Sequence, residues 1–127
     1  MNLEKVVFGF FIILAMTLNF GFVFGDIDNP AHHHVYELFF AIIVNLVATV
    51  LKFGERTQIG AIHLASSLVA DLGLLVAAWI WASAVYFDGT GLTPDATASI
   101  VSMSAGALAA NVLSVTMLLV ETVMFRR

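Results

Sequence analysis

The fold is decided by residues 57–86, TQIGAIHLASSLVADLGLLVAAWIWASAVY, an almost unbroken apolar run that carries one carboxylate, Asp71, near its middle. About 20 apolar residues cross a bilayer, so this run is long enough to span with tilt or to project beyond the membrane. An acidic residue at bilayer depth costs roughly 2.5 to 3.5 kcal/mol and is normally turned toward protein or a water-filled cavity. Asp71 is therefore the leading candidate for function. Gly60, His63, Ser67 and Asp71 recur at three- and four-residue spacing and share one helical face, which Leu74, Leu75 and Ala78 continue without polar atoms. The polar track runs from one end of the span to its middle and stops. Trp79, Trp81 and Tyr86 mark the far end as interfacial aromatics do.

Working outward, three more apolar runs predict spans over residues 6–25, 31–53 and 94–125. The 127 residues are 61% hydrophobic and only 11% charged, whereas a soluble domain carries about 25% charged residues. The expected fold is all-α: a polytopic membrane protein of four transmembrane helices in an antiparallel bundle, one domain over residues 1–127. Spans consume the length and leave no room for an extramembrane catalytic domain. No Gly-rich phosphate loop or nucleophile elbow is present, so neither an enzyme, nor a cofactor, nor a nucleic-acid partner is expected. With no cysteine, disulfide and thiolate chemistry have no basis. The first run resembles a signal peptide, with Val23 and Gly25 as small cleavage-site residues. Its apolar region of near 20 residues exceeds the ~7–15 of a signal sequence, so it reads as a retained span. Gly21 and Gly25 form a GxxxG pair suited to close helix approach.

The connectors follow local rules. Asp28 or Asn29 reads as a cap with Pro30 at the first helical position, placing the second span from residue 31. Residues 53–57, FGERT, make a tight turn that only a hairpin of helices can use. Thr93, Pro94 and Asp95 read as cap, first-turn proline and first-turn acid of the fourth span. Lys5, Lys52, Arg56, Arg126 and Arg127 all fall on one side of this layout, a positive-inside pattern that puts both termini in the cytoplasm of a plasma (inner) membrane, with a prokaryotic source expected. Lys52 and the two terminal arginines suit anionic headgroups of the lipid bilayer. The other side carries Asp26, Asp28, Glu37, Asp88 and Asp95 beside His32, His33 and His34. Short acidic loops are what a positive-inside bias leaves behind, and they also concentrate cations.

Two further stripes match that of Asp71. On the second span Glu37, Ala41, Asn45, Ala48 and Lys52 share a face; on the fourth, Ser104, Ala107, Asn111, Ser114 and Glu121 do. Counting about 1.5 Å per residue places Asn45, Asp71 and Asn111 near one level at mid-membrane. Such a cluster can hold a hard cation through oxygens or a titrating proton, and the same amides can equally act as glue between helices. His63 and Asp71 stand roughly 12 Å apart along the helix, so a proton relay between them needs Ser67 or water. Asp26, Asp28, His33 and Glu37 form the expected outer vestibule. On a helix the consecutive histidines point about 100° apart and cannot converge on one ion, whereas His33 and Glu37, four apart, are a candidate metal pair. Beside the fourth-span stripe, Ser102, Gly106, Ala110 and Ser114 make a ladder of small residues. The first span adds Thr17 and Asn19 and reads as mostly lipid-facing.

The function expected is a homo-oligomeric cation channel or cation/proton pathway, with Asp71 as central site, Asn45 and Asn111 as co-ligands, and His63 and Ser67 along the track. A single four-helix bundle encloses little space, so stripes from several copies are expected to line the path. The alternative is a non-conducting accessory subunit that packs on a second membrane polypeptide through the fourth-span ladder and the first-span glycines.

Overall fold

The computed structural model describes residues 3–53, 57–89 and 91–124, and every regular element among them is helical. The principal helices are α1 (Leu3–Val23), α2 (Val35–Lys52), α3 (Gln58–Ala82) and α4 (Pro94–Met124). All four are long and apolar enough to cross a membrane, α3 being carried on by a π-helical turn, Ser83–Phe87. The turn of FGERT, Arg56 and the C-terminal arginines lie outside the described residues, as do Thr90 and Phe125.

The helix starts obey the capping chemistry. Thr57 Oγ1 accepts from the Gly60 amide at 2.9 Å to open α3. Thr93 Oγ1 accepts from the Ala96 amide at 3.1 Å, ahead of Pro94 and Asp95 in the first turn of α4. Each hydroxyl satisfies an amide that has no partner inside its own helix. The Asn29–Pro30 cap is real but opens a different element. Asn29 Oδ1 accepts from the Ala31 amide at 3.0 Å and starts a 3-10 turn, Pro30–His32. His33 and His34 are then extended, and α2 begins only at Val35. The three consecutive histidines thus lie on the connector. Four residues separate His33 from Glu37, but no helical turn joins them.

Around the bundle, α1 packs on α2 and α4, and α3 packs on the same two, most extensively on α4. Gly73 is what lets α3 and α4 approach: a Cβ there would meet the Met103 carbonyl oxygen at 2.9 Å. The predicted GxxxG pair divides into two other roles. Gly21 makes space for the Glu37 carboxylate, which lies where its Cβ would stand. Gly25 lies beyond the end of α1 with φ +106°, a conformation that side chains rarely adopt, and a Cβ there would also meet His32.

Burial inverts the pattern of a water-soluble protein. Phe10, Phe20, Phe39, Leu72 and Val69 are among the large apolar side chains directed outward. Asn19, Asn45, His63, Ser67, Ser104, Asn111 and Ser114 are completely enclosed. One apolar cluster joins Phe22, Leu38, Ala41, Leu74, Ala77 and Ile100, and a second joins Phe8, Ile12 and Ala48. Asn45 lies between Ala41 of the first and Ala48 of the second, so the apolar core is split by a polar layer.

Candidate functional site

The polar layer is built by the three predicted stripes. Ala41, Asn45, Ala48 and Lys52 of α2, Gly60, His63, Ser67, Asp71 and Leu74 of α3, and Ser104, Ala107, Asn111 and Ser114 of α4 are all buried. Glu37 and Glu121, at the stripe ends, are half-buried.

Its centre is a contact between α2 and α3. Thr49 Oγ1 lies 2.5 Å from Asp71 Oδ2 and 2.9 Å from the Asn45 carbonyl oxygen. A hydroxyl owns one proton and can donate only once. Both contacts are hydrogen bonds at the same time when Asp71 carries a proton on Oδ2: the acid donates to Thr49, and Thr49 donates to Asn45. If Asp71 is ionised, Thr49 turns its single donor to the carboxylate, and the Asn45 carbonyl keeps the backbone partner that the helix supplies. The site therefore has two self-consistent hydrogen-bonding arrangements that differ by one proton. Asn45 Nδ2 meanwhile donates to the Ala41 carbonyl at 3.1 Å.

Around this contact stand buried polar atoms without a hydrogen-bond partner. They include Asp71 Oδ1, Asn45 Oδ1, Ser67 Oγ, Ser104 Oγ and both side-chain polar atoms of Asn111 and of Asn19. Leaving a buried donor or acceptor unmet costs about 1 to 3 kcal/mol, and native proteins show few such groups. They fall on the buried faces of the helices and form a polar column within the bundle. By helix rise the column covers about 15 Å of α4 between Ser114 and Ser104. It lies inside one chain, enclosed by its own helices.

A second polar group sits at the Lys5 and Lys52 end. His63 Nδ1 is 2.9 Å from Ser114 Oγ, and its Nε2 is 3.7 Å from Glu121 Oε1. Glu121 Oε2 in turn pairs with Lys5 Nζ at 3.1 Å. Phe8 turns its ring against His63, centroids 5.0 Å apart, and the Lys52 ammonium lies 4.3 Å from the centre of the same ring. Lys52 is thereby buried against an aromatic face, a cation–π contact in place of a free run to the interface.

The expected vestibule is only partly assembled. Asp26 and Asp28 are exposed, Glu37 is half-buried, and His33 is buried with Nδ1 2.5 Å from the Phe22 carbonyl and Nε2 2.6 Å from the Asp26 carbonyl. Both ring nitrogens face backbone carbonyl oxygens, and a neutral ring donates its single N–H to one of them, so His33 ties the connector ahead of α2 back to the end of α1. Among the described residues, no three His, Asp or Glu side chains are grouped as a metal site requires.

Sequence reading missed Thr49 and, for two residues that it named, Asn19 and Glu121, missed their surroundings. Thr49, the direct partner of Asp71, is one of the polar residues that a single chain offers in plenty, although its position four residues after Asn45 places it on the same face. Asn19 follows from no stripe on α1 yet is enclosed, so α1 turns a polar side chain into the bundle as well as apolar ones outward. Glu121 belonged to the α4 stripe, but its partners Lys5 and His63 are remote in sequence.

Residues 32–122 match the profile of DUF6394, a family of unknown function, and the chain belongs to it. No curated protein and no solved structure matches the chain.

Proposed function

We propose that this member of DUF6394 translocates protons across a membrane, with Asp71 as the mid-membrane group that binds and releases them. The observation that carries the reading is the Thr49 hydroxyl held between Asp71 Oδ2 and the Asn45 carbonyl, an arrangement able to serve both the protonated and the ionised acid. Asn45 and Asn111 line the site, and Asn111 has donors to offer a carboxylate once its proton leaves. Ser67 and His63 continue the track toward the basic end. The half-buried Glu37 and the exposed Asp26 and Asp28 belong to the opposite mouth.

The bundle in this proposal is antiparallel, with both termini and the 53–57 turn on the cytoplasmic side of a prokaryotic plasma membrane. The asymmetric placement of Lys and Arg supports that orientation. The polar stripes are enclosed within one chain, so in the proposed homo-oligomer each protomer carries its own path, and stripes from neighbouring copies do not line it as the sequence led one to expect. The direct test is purified protein reconstituted into liposomes under proton, sodium or potassium gradients, with a trapped pH dye. The proposal expects acid influx above that of protein-free liposomes, driven by the proton gradient and indifferent to the choice of sodium or potassium. Influx no greater than in protein-free vesicles defeats it.

A second reading has its own observation. Gly106 faces open space, and with Ala109 and Leu113 of α4 and Ile62, Ala65 and Val69 of α3 it lines an apolar groove of about 470 Å³. Small residues beside such a groove suit the close approach of another helix, as an accessory subunit of a larger complex requires. Stable co-purification with one second membrane polypeptide supports that reading; a protein that purifies alone and carries protons removes its motive.

A further inference from the structure

We propose that Glu121 is the proton port of the bundle at its basic end, receiving protons from the aqueous side and exchanging them with His63. The inference rests on the reading of Asp71 as a proton site and adds a residue to which that reading gives no role. Glu121 lies between two environments. Its Oε2 meets Lys5, whose side chain is about a third exposed, while its Oε1 is buried without a hydrogen-bond partner and faces His63, which is enclosed entirely. Structural ion pairing accounts for the first oxygen and leaves the second unexplained.

Among the described residues, charged and titratable groups reach this point from every helix: Lys5 from α1, Lys52 from α2 behind the Phe8 ring, His63 from α3 and Glu121 from α4. At 3.7 Å, Glu121 Oε1 and His63 Nε2 are just beyond hydrogen-bond length, and a small side-chain rotation closes the gap. A protonated Glu121 then gives its O–H proton to Nε2. The carboxylate left behind remains paired with Lys5, and the imidazolium formed donates Nδ1–H to Ser114 Oγ. Loss of that Nδ1 proton returns a neutral ring. Ser67 stands one helical turn, about 6 Å, from both His63 and Asp71 on the same face of α3. Ser67 Oγ and the Asn111 amide are buried and unpartnered, and they offer the several polar contacts that an internal water needs. The route is Glu121, His63, Ser114, water held by Ser67 and Asn111, then Asp71.

Two measurements test it. In reconstituted protein, Glu121→Gln lowers proton influx by at least about tenfold, as the loss of a positioned proton donor does, and Glu121→Asp restores part of it. Influx of Glu121→Gln within twofold of the parent overturns the proposal. If Asp71→Asn abolishes influx while Glu121→Gln and His63→Gln do not, the port alone fails and Asp71 stands. If the parent protein carries no protons, both fall together. The second measurement needs no flux and no Glu121 variant, so it holds even if Glu121→Gln fails to fold. The chain has no cysteine, so a single introduced thiol is labelled without background. Ser67→Cys reacts with a small water-soluble methanethiosulfonate at least ten times faster than Leu74→Cys on the apolar continuation of the same face. Equal rates mean a dry gap between His63 and Asp71 and overturn the route.

Discussion

Replacing Thr49 by Val tests the geometry at the centre of the site, because the two side chains have nearly the same shape and differ in the hydroxyl that touches Asp71. Thr49 is buried, so its loss is felt in hydrogen bonding with little cavity cost. Between neutral groups in a membrane protein, such a bond contributes about 0.6 kcal/mol on average and up to about 1.7. A bond to an ionised group contributes about 1.5 to 3 kcal/mol. If Asp71 is held as the neutral acid, Thr49→Val costs about 1 kcal/mol. It costs the same in an Asp71→Asn background, since the asparagine amide donates to Thr49 Oγ1 as the acid O–H does. The double-mutant cycle then shows a coupling within about 0.5 kcal/mol of zero. The assay is equilibrium unfolding in mixed micelles for the parent, both single variants and the pair, with Thr49→Ser as the variant that keeps the hydroxyl. A cost above about 2 kcal/mol beside Asp71 that falls below about 1 in the Asp71→Asn background refutes the neutral acid and shows a buried carboxylate.

Two other substitutions examine the packing and the column. Gly73→Ala forces a methyl to within 2.9 Å of the Met103 carbonyl, at a cost of about 1 to 3 kcal/mol set against a helix-propensity gain of about 1, whereas Gly106→Ala meets nothing and stabilises by up to about 1 kcal/mol. Unfolding of the pair in the same micelles checks the contrast, and equal effects contradict the α3–α4 contact. Asn19→Leu removes an enclosed amide with no partners, so stability stays level or rises by about 1 kcal/mol in the same unfolding assay. A loss of stability above about 1 kcal/mol shows instead that the amide is hydrogen-bonded.

How much of this was legible in the sequence follows from what each residue depends on. The helices were readable because long apolar runs, Thr57 and the Thr93–Pro94–Asp95 start act through neighbours in the chain. The buried faces of α2, α3 and α4 were readable because in hydrocarbon a polar residue at helical spacing has to turn inward, and Asn45, Asp71 and Asn111 do. The connector before α2 was misjudged: Asn29 and Pro30 carry a helix-start signature, but a 3-10 turn satisfies it equally. What decides the outcome is His33 reaching back to the Phe22 and Asp26 carbonyls, contacts made across the connector. Gly21 and Gly25 fit a packing motif by spacing alone, while their roles depend on Glu37 and His32, which spacing does not reveal. Thr49, Asn19 and Glu121 gain their meaning only from residues on other helices.

The most direct test of the central claim is proton influx into liposomes containing Asp71→Asn, compared with the parent protein at equal incorporation. Asparagine keeps the shape and the donor toward Thr49 and removes the exchangeable proton, so the account predicts a folded protein whose influx falls to that of protein-free liposomes, with Asp71→Glu retaining part of the activity. Influx and pH dependence unchanged by Asp71→Asn contradict it.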